Sequence, residues 1–385
     1  MEGEVNDMNK KEVSEIKKQF SPANCAITRI CGCYVDSEKN IKTKIKDAFL
    51  SLPEEEMFKY FDLFKKSLSG TIGKNLINME FPMEQEFSGG TQDFLLRLRN
   101  SRLKDDALLD EFYQKIIDFY DYGENYYIVL IHANYDIPGK SSDGDEMFDA
   151  SDEVYEFILA SICPVKLSKA GLCYNSETNN IEDRIRDWIV EMPDVGFLFP
   201  AFTDRSTDVH GLLYYSKNAK EFQTDFIDNV LGCRAPMPAN DQKSTFQQLV
   251  SDTLGTNCNF DTVKSIHENL SEMMEEHKDE PEPFKLDKSD VKKLLAKSGA
   301  DDEKLETFER EFEAAAGEKS SLLASNIANT RTFEVKTPDV MIKVNPERTD
   351  LIETRLINGV PHLVIRLSDS VEVNGIPVLN KRMDE

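Results

Sequence analysis

The sequence predicts an α+β fold: an N-terminal domain with a mostly antiparallel sheet and flanking helices, a central helical segment, and a small C-terminal α+β module ending in a β-hairpin. Three observations predict it. Apolar and alternating runs adjoin one another without regular strand–helix alternation. From Ala219 the apolar period becomes helical, and beyond Asp279–Pro283 strands return. We therefore expect domains at 1–215, 216–278 and 279–385.

The N-terminal domain begins with sequence patterns typical of helices and of strands. Ser51, with Pro53 and three glutamates behind it, predicts a helix start. The expected early elements are a helix over about 9–20, a hairpin of Cys25–Val35 and Ile41–Lys46, a helix from Ser51 to Leu68, and a helical region over about 91–120 that breaks near Asn100.

The strongest strand is Tyr126–His132, which is continuously apolar and is expected to be central and buried. Val154–Val165 is predicted to pair with it antiparallel, and Asp183–Val190 and Gly196–Phe202 to add sheet edges. The expected later elements are helices at about 219–231, 241–254, 260–277, 289–297 and 301–316, and strands at 332–336, 340–344, 351–357 and 362–367 with a type I′ turn at Asn358-Gly359.

Composition indicates a soluble, cytoplasmic protein. The net charge of −25 and the pI near 4.7 disfavour nucleic-acid binding except through a local basic surface, and favour a positively charged protein partner. Seven scattered cysteines are typical of a reducing compartment. No secretory signal or long apolar run is present, so we expect no membrane association.

Metal and phosphate motifs are incomplete. Cys31 and Cys33 would share one side of a strand, but no further pair of ligands stands nearby, and buried structural cysteines are the better interpretation. Gly73-Lys74 lacks the rest of a phosphate loop. The carboxylates of Asp143, Asp145, Asp149 and Asp152 lack the calcium-loop order. We expect no metal and no cofactor.

One alternative is a hydrolase-type enzyme. Its candidate catalytic residues are Asp187, Asp204, Arg205 and His210, whose acid, base and hydroxyl neighbours suit acid–base chemistry. The same residues could instead form ion pairs that fasten loops to the sheet. No nucleophile elbow or Cys–His signature accompanies them, and His132 is interpreted as a satisfied core histidine.

A local basic surface is the second candidate site. Its residues lie on one predicted strand and one helical region, and they are Lys42, Lys44, Lys46, Arg97, Arg99, Arg102 and Lys104. Because alternate strand residues share a side, the three strand lysines could follow a phosphate backbone. A charge-balanced solvent face is the competing interpretation, and it is the one that we favour.

Five stretches resemble an uncharacterised bacterial family of Clostridia-type Firmicutes that has no assigned function. They are Cys25–Asp36, Phe49–Phe61, Glu86–Arg99, Glu182–Phe202 and Phe333–Arg348. The resemblance covers nearly the whole chain and implies no activity.

The order of features is also similar to that of the nucleoid-associated YejK/NdpA proteins. The stretches that carry this likeness are Ile27–Ser51, Leu130–Tyr135, Phe226–Gly232, Thr245–Val250, Val340–Val344 and His362–Leu367. The resemblance implies a non-enzymatic, nucleoid-associated protein that binds DNA through its basic face or binds a DNA-processing protein. The hydrolase, a stress-response scaffold and a homodimer stay open.

Overall fold

The computed structural model describes residues 7–140, 146–147, 153–317, 321–329, 332–367 and 371–378. The chain forms two compact units, Met1–Ala239 and Asn240–Glu385, called here unit 1 and unit 2.

Unit 1 is built on an eight-stranded sheet. In chain order the strands of this unit are β1 Ile27–Val35, β2 Ile41–Ala48, β3 Leu76–Glu80, β4 Tyr126–Asp136, β5 Gly139–Lys140, β6 Glu146–Met147, β7 Val154–Leu167, β8 Leu172–Asn175, β9 Asn180–Asp183, β10 Trp188–Val190, β11 Val195–Phe199, β12 Ala201–Thr203, β13 Ser206–Asp208 and β14 Gly211–Ser216. The sheet order is β2-β1-β4-β7-β11-β14-β3, with β10 also paired to β7. Every neighbouring pair in it is antiparallel.

The helices of unit 1 are α1 Lys10–Lys18, α2 Glu54–Ser67, α3 Thr91–Asn100, α4 Asp106–Phe119 and α5 Thr224–Phe226, which continues as a π-helical turn over Ile227–Leu231. Two of these five helices, α1 and α4, start at side-chain caps. Asn9 and Glu12 form a capping box at α1, and the Asp105 carboxylate accepts hydrogen bonds at the start of α4.

Helices cover both faces of the sheet. Alternate residues of each strand point to opposite faces, and this separates two hydrophobic clusters. On one face, Cys31, Cys33, Ile128 and Leu130 pack with α3, α4 and the π-helical turn. On the other face, Val129 and its alternate neighbours pack with α1, α2 and β12. Unit 1 therefore has three layers, with its sheet in the middle.

The predicted fold class is confirmed by the large antiparallel sheet and its flanking helices. The N-terminal hairpin forms as predicted, and β4 pairs with β7 in the expected direction. Several predictions were wrong in detail: the helix expected over 219–231 begins at Thr224, and residues 184–187 of the expected strand Asp183–Val190 are irregular. Gly196–Phe202 is no sheet edge, because β11 lies between β7 and β14. Ser51 does not cap α2; its hydroxyl bonds the Ala48 carbonyl, and Pro53 stands at the cap.

Unit 2 surrounds a separate hydrophobic core. Its helices and strands are α6 Ala239–Leu254, α7 Phe260–Glu276, α8 Lys288–Lys297, α9 Asp302–Ala316, α10 Ala324–Ile327, β15 Lys285–Leu286, β16 Leu322–Leu323, β17 Phe333–Lys336, β18 Met341–Val344, β19 Ile352–Ile357, β20 Val360–Ile365, β21 Val371–Val373 and β22 Ile376–Val378. The last six strands pair as three hairpins. Positive φ angles at Asn358 and Gly359 match the predicted type I′ turn.

The two units divide between Ala239 and Asn240, and the domain boundaries expected at 215/216 and 278/279 stay predictions. Apolar residues of α6 and α7 share one hydrophobic cluster with residues of α8 and α9, on both sides of Asp279–Pro283. Over the described residues, no helix is both long enough and apolar enough to cross a membrane.

Candidate functional site

The predicted basic surface lies where β2 meets the start of α4. The Lys44 ammonium is 2.6 Å from the Asp110 carboxylate, and Lys46 pairs with Asp106. The Lys46 ammonium also donates to the Lys104 carbonyl at 3.2 Å. Strand and helix side chains that are far apart in sequence therefore meet here, but each lysine ammonium faces a carboxylate.

Three more of the predicted cations are also held in ion pairs. The distances are 2.6 Å for Lys42–Asp36, 3.3 Å for Arg97–Asp93 and 3.3 Å for Arg102–Glu156. Five of the seven predicted phosphate-binding cations thus have an acidic partner. Because a phosphate would compete with these carboxylates, the surface offers less positive charge than its sequence indicates.

Arg99 and Lys104 complete the predicted set. The Arg99 guanidinium donates two hydrogen bonds to Oδ1 of its neighbour Asn100, at 3.0 and 2.8 Å. Burial lowers the pKa of Arg99, although Glu156 acts in the opposite direction. Lys104 is exposed, at the turn between α3 and α4. These two residues leave only a small positive region next to the paired lysines.

His132 forms a buried polar centre close to Arg99 and Arg102. Its ring is fully buried, with Nε2 2.8 Å from Oε1 of Glu156 and Nδ1 2.6 Å from the Thr28 hydroxyl. Burial lowers the pKa of His132, while the hydrogen bond to Glu156 raises it. The ring links β1, β4 and β7, as expected of a satisfied core histidine. Its partners Thr28 and Glu156 could not be predicted, because they lie 104 and 24 residues away in the sequence.

A hydroxyl, an imidazole and a carboxylate in this order resemble a catalytic relay. The local geometry favours a structural role. The Thr28 hydroxyl also lies 3.0 Å from the His132 carbonyl, where its proton can be donated to the backbone. Glu156 is shared with Arg102, and the imidazole has no exposed surface for a substrate to reach.

The four candidate catalytic residues take part in separate interactions. Asp204 and Arg205 form the turn between β12 and β13, and Arg205 pairs with Glu15 of α1 at 3.3 Å. His210 pairs instead with Glu86 at 2.7 Å, and this hydrogen bond raises the pKa of His210.

Asp187 lies on an exposed segment, where its backbone exchanges hydrogen bonds with Ser168. The ion pairs of Arg205 and His210 fasten loops to neighbouring elements, which is the competing interpretation of these residues. Such an arrangement supplies no shared acid–base pair to a substrate.

Cys31 and Cys33 of β1 are candidate metal ligands by sequence. Cys31 and Cys33 do face one side of β1, but they are buried in the core, where burial raises the pKa of both thiols to about 11. In the described ranges, no three His, Cys, Asp or Glu side chains are grouped to hold a metal ion. The carboxylates of Asp143, Asp145, Asp149 and Asp152 lie outside those ranges.

An exposed apolar surface follows β7, and we call residues 172–192, from β8 through β10, the apolar segment. Its large exposed side chains are Leu172, Tyr174, Ile181, Ile185, Trp188, Ile189, Val190 and Met192. Trp188, the only tryptophan of the chain, is 56% exposed, and Ile185 is 84% exposed. A sheet edge is predicted here, but periodicity in one sequence cannot show that the side chains on both faces of that edge stay exposed.

The backbone of β10 pairs only with the end of β7 among the described strands, from Trp188 with Leu167 to Val190 with Val165. Apolar side chains on an edge strand are uncommon in monomeric proteins, because such an edge can pair with another chain. The apolar segment is therefore the surface of unit 1 that is best suited to a macromolecular partner.

Comparisons with known proteins give one result. A family model described as a domain of unknown function, DUF4317, matches residues 8–376. No curated protein and no solved structure matches the chain. The predicted membership of an uncharacterised family is thereby confirmed, while its bacterial distribution and the similarity to nucleoid-associated proteins stay predictions.

Proposed function

The chain belongs to the DUF4317 family, and from that premise we propose that it is a non-enzymatic, cytoplasmic, nucleoid-associated protein that binds a positively charged DNA-processing protein. The observation that carries this proposal is the exposed apolar segment with Trp188 on its edge strand. Tryptophan and tyrosine are over-represented among the few residues that supply most of the binding energy at protein interfaces. An edge strand also offers backbone groups to an added strand.

The charge of the apolar segment suits a basic partner. Its ionic side chains are Glu177, Glu182, Asp183, Arg184, Arg186, Asp187 and Glu191, so acids outnumber bases. The whole chain carries −25. Opposite charge on the partner would increase the rate of association and suppress binding of acidic proteins.

Direct DNA binding is less well supported than partner binding. Lys42, Lys44 and Lys46 each pair with a carboxylate, so a phosphate would have to displace an aspartate from each of them. The order of elements that resembles nucleoid-associated proteins supports the DNA-processing character of the partner. That support is an analogy at the level of the fold.

A capture experiment with matched variants tests the proposal. Tagged wild-type protein, Trp188→Ala and the exposed control Leu50→Ala would be incubated with a nuclease-treated cell lysate, and bound proteins identified by mass spectrometry. We expect wild type and Leu50→Ala to retain a basic DNA-processing protein that Trp188→Ala retains at least several-fold less. Equal capture by all three, or capture only of proteins unrelated to DNA, would contradict the proposal.

A further inference from the structure

Unit 1 contains an open cavity of about 680 Å³ that the proposed function does not use. It lies between the end of α4, the start of β11 and the chain that follows β14. Its wall includes the rings of Tyr120, Tyr122 and Phe222. The residues of the apolar segment do not line it.

The aromatic wall is rigidly packed. Tyr120 and Tyr122 are stacked, with ring centroids 5.9 Å apart and planes 13° from parallel. Tyr126 packs edge-on against both of them, at 5.3 and 6.4 Å. Its buried hydroxyl makes no hydrogen bond within the described residues. Tyr120 is buried, and its stacking fixes the half-buried Tyr122 ring, so ligand binding at Tyr122 would cost little side-chain entropy.

The rim of the cavity is acidic. Asp121 and Glu221 line it and make no hydrogen bond or ion pair within the described part of the chain. Asp194 also lines it, and its carboxylate binds the Lys217 ammonium at 2.8 Å. Burial, followed by the nearby carboxylates Asp194, Glu124 and Glu191, raises the pKa of Tyr122 to about 12. The wall phenol thus stays neutral while its surroundings are negative.

We infer that this cavity binds a small organic cation, an alkylammonium or guanidinium group, between the ring of Tyr122 and the carboxylates of Asp121 and Glu221. Aromatic faces attract such cations, and the carboxylates add charge-assisted hydrogen bonds. Lys217 shows the same chemistry inside the chain, since its ammonium already occupies one rim carboxylate. An anion would be repelled by this rim.

Two sources could supply the cation. A free polyamine would make the site a ligand site independent of the proposed function. A lysine or arginine side chain of the basic partner would deepen the proposed function and rests on it. The chemistry is shared, so the two sources have to be separated by experiment.

Isothermal titration of the full chain at low salt, with spermidine in one arm and a capped tri-arginine peptide in the other, tests the inference. We expect Tyr122→Leu and Glu221→Gln each to weaken binding about fivefold. Lys217→Gln should strengthen binding several-fold, because it removes the competing ammonium from Asp194. Phe87→Leu, which changes an exposed aromatic residue outside both the cavity and the apolar segment, should bind like wild type.

The outcomes separate the two proposals. Binding of either ligand with this variant pattern supports the site, and the ligand that binds identifies the source. Absence of binding in both arms, or equal affinity for wild type, Tyr122→Leu and Glu221→Gln, overturns it. The capture experiment compares wild type with Trp188→Ala, so its outcome does not depend on whether the cavity binds a cation.

Discussion

The imidazole of His132 contacts Thr28 and Glu156 on the strands that flank its own. Burial lowers its pKa below the usual 6.5, so the unfolded chain binds this proton more readily than the folded protein does. The neutral imidazole of His132 contributes fully to the free energy of unfolding above about pH 6.5, and this contribution is lost as the pH falls through the pKa of His132 in the folded protein. In urea unfolding, we expect the free energy of unfolding to decrease from pH 7 to pH 5.5, and to decrease less in His132→Gln.

Comparison with the variant is needed because other histidines also titrate in this range. His210 has a raised pKa and contributes with the opposite sign, whereas the pKa of His267 is lowered. If His132→Gln and wild type showed the same dependence on pH, the depressed pKa of His132 would be wrong.

Gly196 occupies a position where any side chain would collide with the sheet. A Cβ there would lie 2.7 Å from the Ala160 carbonyl oxygen on β7 and 3.1 Å from the Ser67 hydroxyl on α2. Because the Ala160 backbone could move only by distorting the sheet, Gly196→Ala should lower the free energy of unfolding by about 1–3 kcal/mol. Gly171→Ala is the matched control, because a Cβ there meets nothing within 4 Å. Equal urea midpoints for both variants would contradict the close packing of α2 on β11.

For single residues, the side of a strand on which a side chain lies was easier to predict from the sequence than its interaction partners. Strand alternation correctly put Cys31 and Cys33 on one side of β1, and a core role for His132 followed from its apolar neighbours. The partners of Lys44 and Lys46 could not be predicted, because Asp110 and Asp106 are 66 and 60 residues away in sequence. Only the tertiary fold brings such charges together.

Ion pairs between lysines of β2 and aspartates of α4 neutralise the basic surface, and substitution of the aspartates would remove this neutralisation. Asp106→Asn combined with Asp110→Asn would leave the Lys44 and Lys46 ammonium groups without their carboxylates. We expect the double variant to gain weak duplex-DNA binding, with log K falling by roughly two per unit of log salt for two released cations. Fluorescence anisotropy would measure this gain, and Asp118→Asn, an exposed acid of the same helix, is the control. A double variant that bound no better than the control would show that these ion pairs are not what limits DNA binding.

The exposed strand β10 carries its own spectroscopic probe, because Trp188 is the only tryptophan in the chain. With 56% of its surface exposed, its emission should resemble that of tryptophan in water and be quenched readily by acrylamide. Burial in an interface would shift the emission to shorter wavelength and protect it. We expect both changes when the captured partner is added. Emission that stays constant at saturating partner would place the interface elsewhere.

Elements with a clear pattern were predicted, and short buried strands were not. The hairpin β1–β2, the β4–β7 pair and the break between α3 and α4 follow from alternation, apolar continuity and helix periodicity. β3 and β14 were missed, and β11 was placed at an edge. Strands of five or six residues match several patterns, and pairings such as β14 with β3 depend on contacts distant in sequence.

At the scale of the whole molecule, the structure separates the chain after Ala239 and keeps both sides of Asp279–Pro283 in one core. Limited trypsin digestion should therefore accumulate a fragment that begins after Arg234, an exposed residue in an irregular segment. A cut after Lys278 should leave two pieces that coelute in size exclusion, because they share apolar contacts. A separable fragment that began after Lys278 would support the boundary predicted from sequence.

Fold class and overall charge could be read from the sequence, since both are sums over many residues. The candidate surfaces could not, because they depend on which side chains remain uncovered after folding. The basic residues could be found from the sequence. In the folded protein most of them pair with carboxylates, so the net positive charge of their surface is small. The sequence pattern of the apolar segment is that of an ordinary sheet edge, and the exposure of its large side chains is a property of the folded protein.

Binding of a basic protein partner in place of DNA requires that the chain itself has no phosphate-binding surface, and fluorescence anisotropy tests this requirement most directly. Labelled duplex and single-stranded DNA would be titrated with wild-type protein at about 50 and 200 mM salt, a range over which phosphate contacts weaken steeply. We expect no saturable binding at either salt concentration. Saturable binding at the lower salt that is lost at the higher salt, and is abolished by Arg99→Gln with Lys104→Gln, would contradict it and make the basic surface the functional site.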